Sequence, residues 1–149
     1  MTRLSFPKEQ VRILLLEGIH ENAVADLAAD GYTGVTVLPS ALDEDELIAR
    51  ISGVHLLGIR SRTKVTPRAL AAADRLIAVG CFCIGTDQVA LAEARERAIP
   101  VFNAPFSNTR SVAELVLGQI IMLMRGIFPK SVSVAQASAR PSGSFGDGS

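Results

Sequence analysis

The sequence predicts an α/β fold: a flavodoxin-like, doubly wound sheet of five parallel strands, followed by a long apolar helix. Three observations lead there. Five short apolar runs recur between Arg12 and Asn103, each of the length expected for a strand buried on both faces. Segments with helical periodicity and helix-start residues stand between them, an alternation that argues for parallel strands joined by helices packed on both sides. The stretch from Pro100 to Phe128 then opens extended and enters a run from Val112 to Met124 with apolar residues on every side. A helix of that kind expects neighbours around most of its circumference.

Taken in order, Arg12 to Leu16 reads as the first strand, ending at Glu17-Gly18. His20 to Asp30 reads as a helix with Ala23, Val24, Leu27 and Ala28 facing inward and Gly31 as its stop. Val35 to Leu38 is the second strand, closed by Pro39. Asp43 opens the next helix, whose early carboxylates suit the positive end of its dipole and whose inner residues are Leu47, Ile48 and Ile51. His55 to Ile59 is the third strand, and Thr66-Pro67 supplies a cap and a first-turn proline for a short helix through Ala73. Leu76 to Val79 is the fourth strand, Asp87 to Arg97 the following helix, and Val101 to Asn103 the fifth strand.

Composition limits the function classes. With 149 residues, 48% hydrophobic and 20% charged, the chain suits one compact domain with a substantial core. Its zero net charge argues against nucleic acid or an anionic membrane as partner, and the absence of tryptophan removes the usual stacking platform for single strands. Cys81 and Cys83 lie too close for an ordinary disulfide and have no neighbouring histidine, so reduced structural thiols, no metal and a cytoplasmic location are expected. No leader is read at the start, and the Val112–Met124 run falls short of the roughly 20 residues a bilayer needs, so no membrane span is expected.

Ligands of doubly wound sheets gather at the carboxyl ends of the strands, which directs attention to three loops. Arg60-Ser61-Arg62-Thr63-Lys64 places three cations at alternate positions, and the helix start at Pro67 offers backbone donors nearby; together they suit a carboxylate or phosphate, or equally a solvated basic edge. The Gly80-to-Asp87 turn permits a close backbone approach to a ligand but has no P-loop lysine; a plain strand-to-helix turn with a positive φ at Gly85 fits as well. After the fifth strand, Ser111 and Glu114 have capping-box spacing, with Asn108 an alternative cap that could also meet a ligand.

Arg60-Ser61-Arg62-Thr63, the turn Gly80-Cys81-Phe82-Cys83-Ile84-Gly85-Thr86, and the stretch from Val101-Phe102-Asn103-Ala104-Pro105-Phe106-Ser107-Asn108-Thr109-Arg110-Ser111 to Glu114 together resemble the D-2-hydroxyacid dehydrogenases, in their bacterial phosphoglycerate dehydrogenase branch. The resemblance runs from about Arg12 to Pro129. It implies the substrate-binding domain of an NAD-dependent oxidoreductase that converts 3-phosphoglycerate to 3-phosphohydroxypyruvate at the entry to serine biosynthesis. It further implies that Arg60, Ser61, Arg62 and Gly85 contact the small anionic 2-hydroxy or 2-oxo acid, and that Ile84 and Asn108 lie on the cofactor side. Pro39 departs from relatives that can carry a lysine there.

The expected organisation is an extension over 1–10, a substrate-binding domain over 11–130 with an interdomain helix at 108–126, and a disordered tail over 131–149. The family's catalytic Arg, Glu and His have no counterpart here, and no G-x-G-x-x-G follows a strand. The expectation is therefore a truncated chain with no catalytic residues, lacking the nucleotide-binding domain, inactive alone and binding no NAD by itself. Bare apolar surface on helix 112–124 would then favour a homo-oligomer. A small-anion binding module and an oligomerising regulatory fragment are the competing readings.

Overall fold

The computed structural model describes residues 6–138, which divide between Ser107 and Asn108 into two compact units. In the first unit the elements alternate as β1 (Arg12–Leu15), α1 (Glu21–Ala29), β2 (Gly34–Val37), α2 (Glu44–Ile51), β3 (Leu56–Ile59), α3 (Pro67–Ala72), β4 (Ala78–Cys81), α4 (Leu91–Glu96) and β5 (Val101–Asn103). All strand pairs are parallel and the order is β2-β1-β3-β4-β5, the flavodoxin-like arrangement that the sequence predicts.

Local chemistry accounts for the helix boundaries. Asp43 caps α2 in a full capping box, accepting the Glu46 N–H at 2.8 Å while the Glu46 carboxylate accepts the Asp43 N–H at 3.1 Å. Thr66 caps α3 by accepting from the Ala69 N–H, with Pro67 next to it. His20 caps α1, its Nδ1 accepting from the Asn22 N–H. Gly31 then ends that helix region with φ +91°, a conformation that glycine adopts at little cost.

The strands alternate their side chains between two cores. Leu14, Leu16, Leu57, Ile59, Val79 and Cys81 join Leu47 and Ile51 of α2, Leu70 of α3 and Ala94 of α4 on one face. Ile13, Leu15 and Ile19 pack with Ala23, Val24 and Leu27 of α1 on the other. This second face also carries an apolar hollow of about 250 Å³, bordered by Leu56, Gly58, Gly80, Phe82 and Phe102.

Several boundaries differ from the sequence expectation. The fourth strand starts at Ala78 and ends two residues later than expected, because Gly80 and Cys81 continue the ladder opposite Gly58 and Ile59 on one side and Phe102 and Asn103 on the other. A glycine after an apolar run reads as a stop, but here it lies inside the sheet. The fourth helix begins at Leu91, not Asp87, because the backbone just before it is committed elsewhere: Val65 N–H donates to Gln88 O and Ala90 N–H donates to Val65 O, forming a parallel bridge between Val65 and Val89. Ala28, expected inside, is exposed.

The second unit, taken alone, contains α5 (Thr109–Met124) and α6 (Ile127–Ser138), bent by 65° at their junction. Gly126, with φ +59°, makes the turn between them. The helix expected at 108–126 is thus present, and residues 131–138 of the expected disordered tail are helical. The remainder of that tail, with Gly143 to Gly148, lies outside the described residues. Ser111 does not cap α5. Asn108 stands at the cap position without a side-chain bond, and Glu114 pairs instead with Arg110 at 2.8 Å. No residue of α5 is buried, and Leu115, Leu123 and Met124 are 61%, 70% and 83% exposed. Among the described residues no single helix is long and apolar enough to cross a membrane, although α5 and α6 as a bent pair reach that length and composition.

Leu47 is fully buried between α2 and the sheet. Leu47→Ala is expected to lower the unfolding free energy by about 2–5 kcal/mol, measured by urea denaturation.

Candidate functional site

Every strand runs in the same direction, so the segments that follow β1, β2, β3, β4 and β5 meet at one edge of the sheet. What organises this edge is a residue just past the first strand. Glu17 is 8% exposed, and its backbone is left-handed at φ +63°. Its carboxylate accepts three backbone N–H bonds from the loop after β3: from Arg60 at 3.2 Å, Arg62 at 2.9 Å and Thr63 at 2.8 Å. The Thr63 hydroxyl also favours the charged form. That hydroxyl, itself fully buried, also accepts from the Leu42 N–H at 3.3 Å. Burial alone would raise the Glu17 pKa and is the largest single influence, but the donors from Thr63, Arg62 and Arg60 together outweigh it and hold the carboxyl below its ordinary 4.5.

A second buried side chain joins the loop after β3 to the loop after β4. Gln88, 5% exposed, donates from Nε2 to the Arg60 carbonyl at 2.7 Å and lies 3.3 Å from the Gly85 carbonyl. The Cys83 thiol lies within the same cluster, 3.3 Å from the Gly85 carbonyl. The loop after β5 is attached in turn, with Asn103 Nδ2 donating to the Ile84 carbonyl at 2.7 Å and Ala104 N–H to the Cys83 carbonyl at 3.0 Å.

These contacts locate the residues singled out by sequence. Arg60, Ser61 and Arg62 are exposed on the loop held by Glu17, and Ile84 and Gly85 are exposed on the adjoining loop across Gln88. Asn108 belongs to the second unit, where its carbonyl accepts the Val112 N–H. Gly85 does not have a positive φ. A side chain there would instead put a Cβ 2.7 Å from Asp87 Oδ1. The start of α3 also contributes less than expected, because Pro67 has no N–H, Thr66 takes the Ala69 N–H, and Thr66 and Arg68 both bond to Glu44. Sequence reasoning passed over Glu17, Thr63, Gln88 and Asn103. The one available signal was an acidic residue directly behind an apolar strand.

The loop after β3 carries three cations without a carboxylate partner among the described residues. Among the described residues, Arg68, Arg97 and Arg110 are paired with carboxylates, while no carboxylate lies within 4.0 Å of the Arg60, Arg62 or Lys64 cations. A guanidinium offers two parallel donors to a carboxylate or phosphate. Arg60, Arg62 and Thr63 spend their backbone N–H groups on Glu17, so Ser61 supplies the intervening backbone donor that Glu17 does not use.

Among the described residues no three metal-ligand side chains gather. Cys81 is free and buried, and burial with Cys83 beside it pushes its thiol up to about 11. His20 is occupied as a helix cap, and His55 accepts the Arg12 N–H at 3.0 Å near the start of β3, at the opposite edge. That opposite edge has a groove of about 560 Å³ lined in part by Arg12, Thr36, Arg50 and Ser52.

Glu17 sets an acid limit on this edge. Because its folded pKa is lowered, its contribution is complete above 4.5 and is lost as pH falls through the lowered value. Below pH 4.5 the melting temperature of the wild-type chain is expected to fall more steeply with acid than that of Glu17→Gln, as followed by circular dichroism.

Comparison with known proteins adds the following. The family model described as D-isomer specific 2-hydroxyacid dehydrogenase, catalytic domain, matches residues 13–143. The D-3-phosphoglycerate dehydrogenase of Escherichia coli is 50% identical over 127 residues, covering 85% of this chain and 31% of that protein. Its namesake from Haemophilus influenzae is 55% identical over 125 residues, covering 84% and 30%. The Dictyostelium discoideum protein of the same name is 52% identical over 130 residues, covering 87% and 32%. The chain thus spans about a third of the length of these curated relatives. Among solved structures, an Aquifex aeolicus D-lactate dehydrogenase complexed with NAD and lactic acid superimposes with a TM-score of 0.72 at 18% identity, covering 87% of this chain and 39% of that one. An NAD-bound 3-phosphoglycerate dehydrogenase of Entamoeba histolytica gives 0.62 at 22%, covering 75% and 39%. At those identities the structures establish the shared fold.

Proposed function

The chain belongs to the D-isomer specific 2-hydroxyacid dehydrogenases, and from that membership we propose that it is the substrate-gripping part of an NAD-dependent D-3-phosphoglycerate dehydrogenase. The whole enzyme, in this reading, oxidises 3-phosphoglycerate to 3-phosphohydroxypyruvate in the cytoplasm, at the entry to serine biosynthesis. The observation that carries the proposal is the unpaired cationic loop Arg60–Lys64, fixed from below by Glu17 at the edge where sheets of this topology bind ligands.

Each residue then has a task. Arg60 and Arg62 neutralise and orient the phosphate and carboxylate of the substrate, and Ser61 donates from its backbone and hydroxyl. Gly85 lets the backbone approach the substrate closely, and Ile84 offers an apolar contact to the nicotinamide end of the cofactor. Asn108, at the start of α5, is assigned to the cofactor side on the resemblance alone. The 149 residues contain no G-x-G-x-x-G turn to cradle a pyrophosphate. They do not by themselves fit NAD. In the family the cofactor supplies the hydride acceptor.

Calorimetry tests the reading. The chain is expected to bind 3-phosphoglycerate and, as a second anionic acid, 2-oxoglutarate. Arg60→Ala should weaken binding by about 1.5–3 kcal/mol, or roughly ten- to 150-fold. The 149 residues alone should give no NAD-dependent turnover, and wild-type affinity in Arg60→Ala would refute the assignment.

One observation also favours self-association. The apolar side chains of α5 are exposed around the helix, and burying about 400 Å² of such surface is worth about 10 kcal/mol before association costs. Light scattering is expected to report a dimer or larger species, with Leu115→Lys shifting it toward monomer.

A further inference from the structure

We propose that Glu17 and Gln88 are positioning residues for the anion site: neither touches the ligand, and together they hold the Arg60–Thr63 loop and Gly85 in the arrangement that grips it. This rests on the reading of the site as an anionic-acid cradle and adds what shapes that cradle.

The loop after β3 bends through residues 61–63 around the Glu17 carboxylate. The N–H groups of Arg60 and Arg62 both end on that carboxylate, one on each oxygen. The N–H of Ser61, between them, is not among the donors that Glu17 accepts. Thr63 closes the turn with its own N–H on the oxygen that Arg60 uses. A single carboxylate thus decides which backbone donor of the loop stays available to a ligand.

Charge makes the arrangement specific. A bare carboxylate beneath an anion site would repel the ligand. Here its charge is absorbed by three backbone N–H donors. Glutamine has nearly the same shape, but its NH₂ would confront at least one of those N–H groups donor to donor. The loop would have to move to relieve that conflict. Aspartate keeps both acceptor oxygens but is one methylene shorter.

Gln88 works on the other side of the same loop. Its Nε2 spans the Arg60 carbonyl at 2.7 Å and the Gly85 carbonyl at 3.3 Å, so one buried amide sets the spacing between the two ligand-facing segments. Gln88→Met keeps the length and removes both bonds.

The test compares the wild-type chain with Glu17→Gln, Glu17→Asp and Gln88→Met at a temperature where each is folded, as judged by its amide NMR spectrum. Calorimetry reads 3-phosphoglycerate affinity, and amide hydrogen exchange reads residues 60, 62 and 63. Glu17→Gln is expected to weaken binding about tenfold or more, the scale on which sub-ångström misplacement acts. Its three loop amides should lose protection while the rest of the spectrum stays in place. Glu17→Asp should fall between it and wild type, and Gln88→Met should weaken binding several-fold. A role confined to stability would lower the melting temperature and leave affinity untouched. Folded variants with wild-type affinity would overturn the inference alone. Should Glu17→Gln fail to fold, Gln88→Met decides by the same criterion. No binding by the wild-type chain would overturn the reading of the site and the inference with it.

Discussion

The bond set around the Glu17 carboxylate is the constraint on which the ligand edge depends. Glu17 lies two residues past β1, its acceptors are filled by the loop after β3, and its backbone N–H donates to the Ser40 carbonyl in the segment after β2 at 3.1 Å. Thr63 closes the connection by accepting from Leu42. Three strand ends are thereby tied to one buried charge. Such a charge is costly to desolvate and stays ionised only where hydrogen bonds compensate it fully. Among the described residues no buried side-chain polar atom lacks a partner, which places this carboxylate among satisfied groups.

The backbone at Glu17 carries the same message. Among the described residues two non-glycine residues have positive φ, Glu17 and Ala98. Ala98 lies just past the end of α4, a usual place for that conformation, and its N–H bonds to Arg95 O. Glu17 ends no helix. Its left-handed backbone costs about 1–3 kcal/mol and is kept by the bonds that hold the carboxylate in place. Strand order does the rest, since β1 is adjacent to β2 and β3, and β4 lies between β3 and β5. The loops after β3 and β4 are therefore neighbours by construction, and Gln88 needs only one side chain to join them.

The architecture was legible in the sequence because each element states its own terms: apolar runs for strands, the Asp43 and Thr66 caps, and the Thr66-Pro67 start. Boundaries were misread where tertiary pairing overrides local signals. Gly80 looks like a terminator yet pairs within the sheet, and Asp87 looks like a helix cap although the Val65–Val89 bridge delays the helix to Leu91. The cationic loop and the Gly85 turn were visible as residue types at a strand edge. Glu17, Thr63 and Gln88 were not, because their importance lies in bonds to residues 46, 21 and 28 positions away, respectively. A helix at residues 131–138 escaped notice where the small and hydroxylated residues of that segment suggested a tail.

The claim that everything else serves is that an anionic acid is held at the carboxyl edge, on a loop whose shape is fixed beforehand. Titrating a ¹⁵N-labelled chain with 3-phosphoglycerate while recording its amide NMR spectrum addresses this most directly. The account predicts shift changes concentrated at Ser61, Lys64, Ile84 and Gly85, with little change at the amino edge. Changes concentrated around Arg12 and Arg50, with the loops after β3 and β4 unmoved, would contradict it.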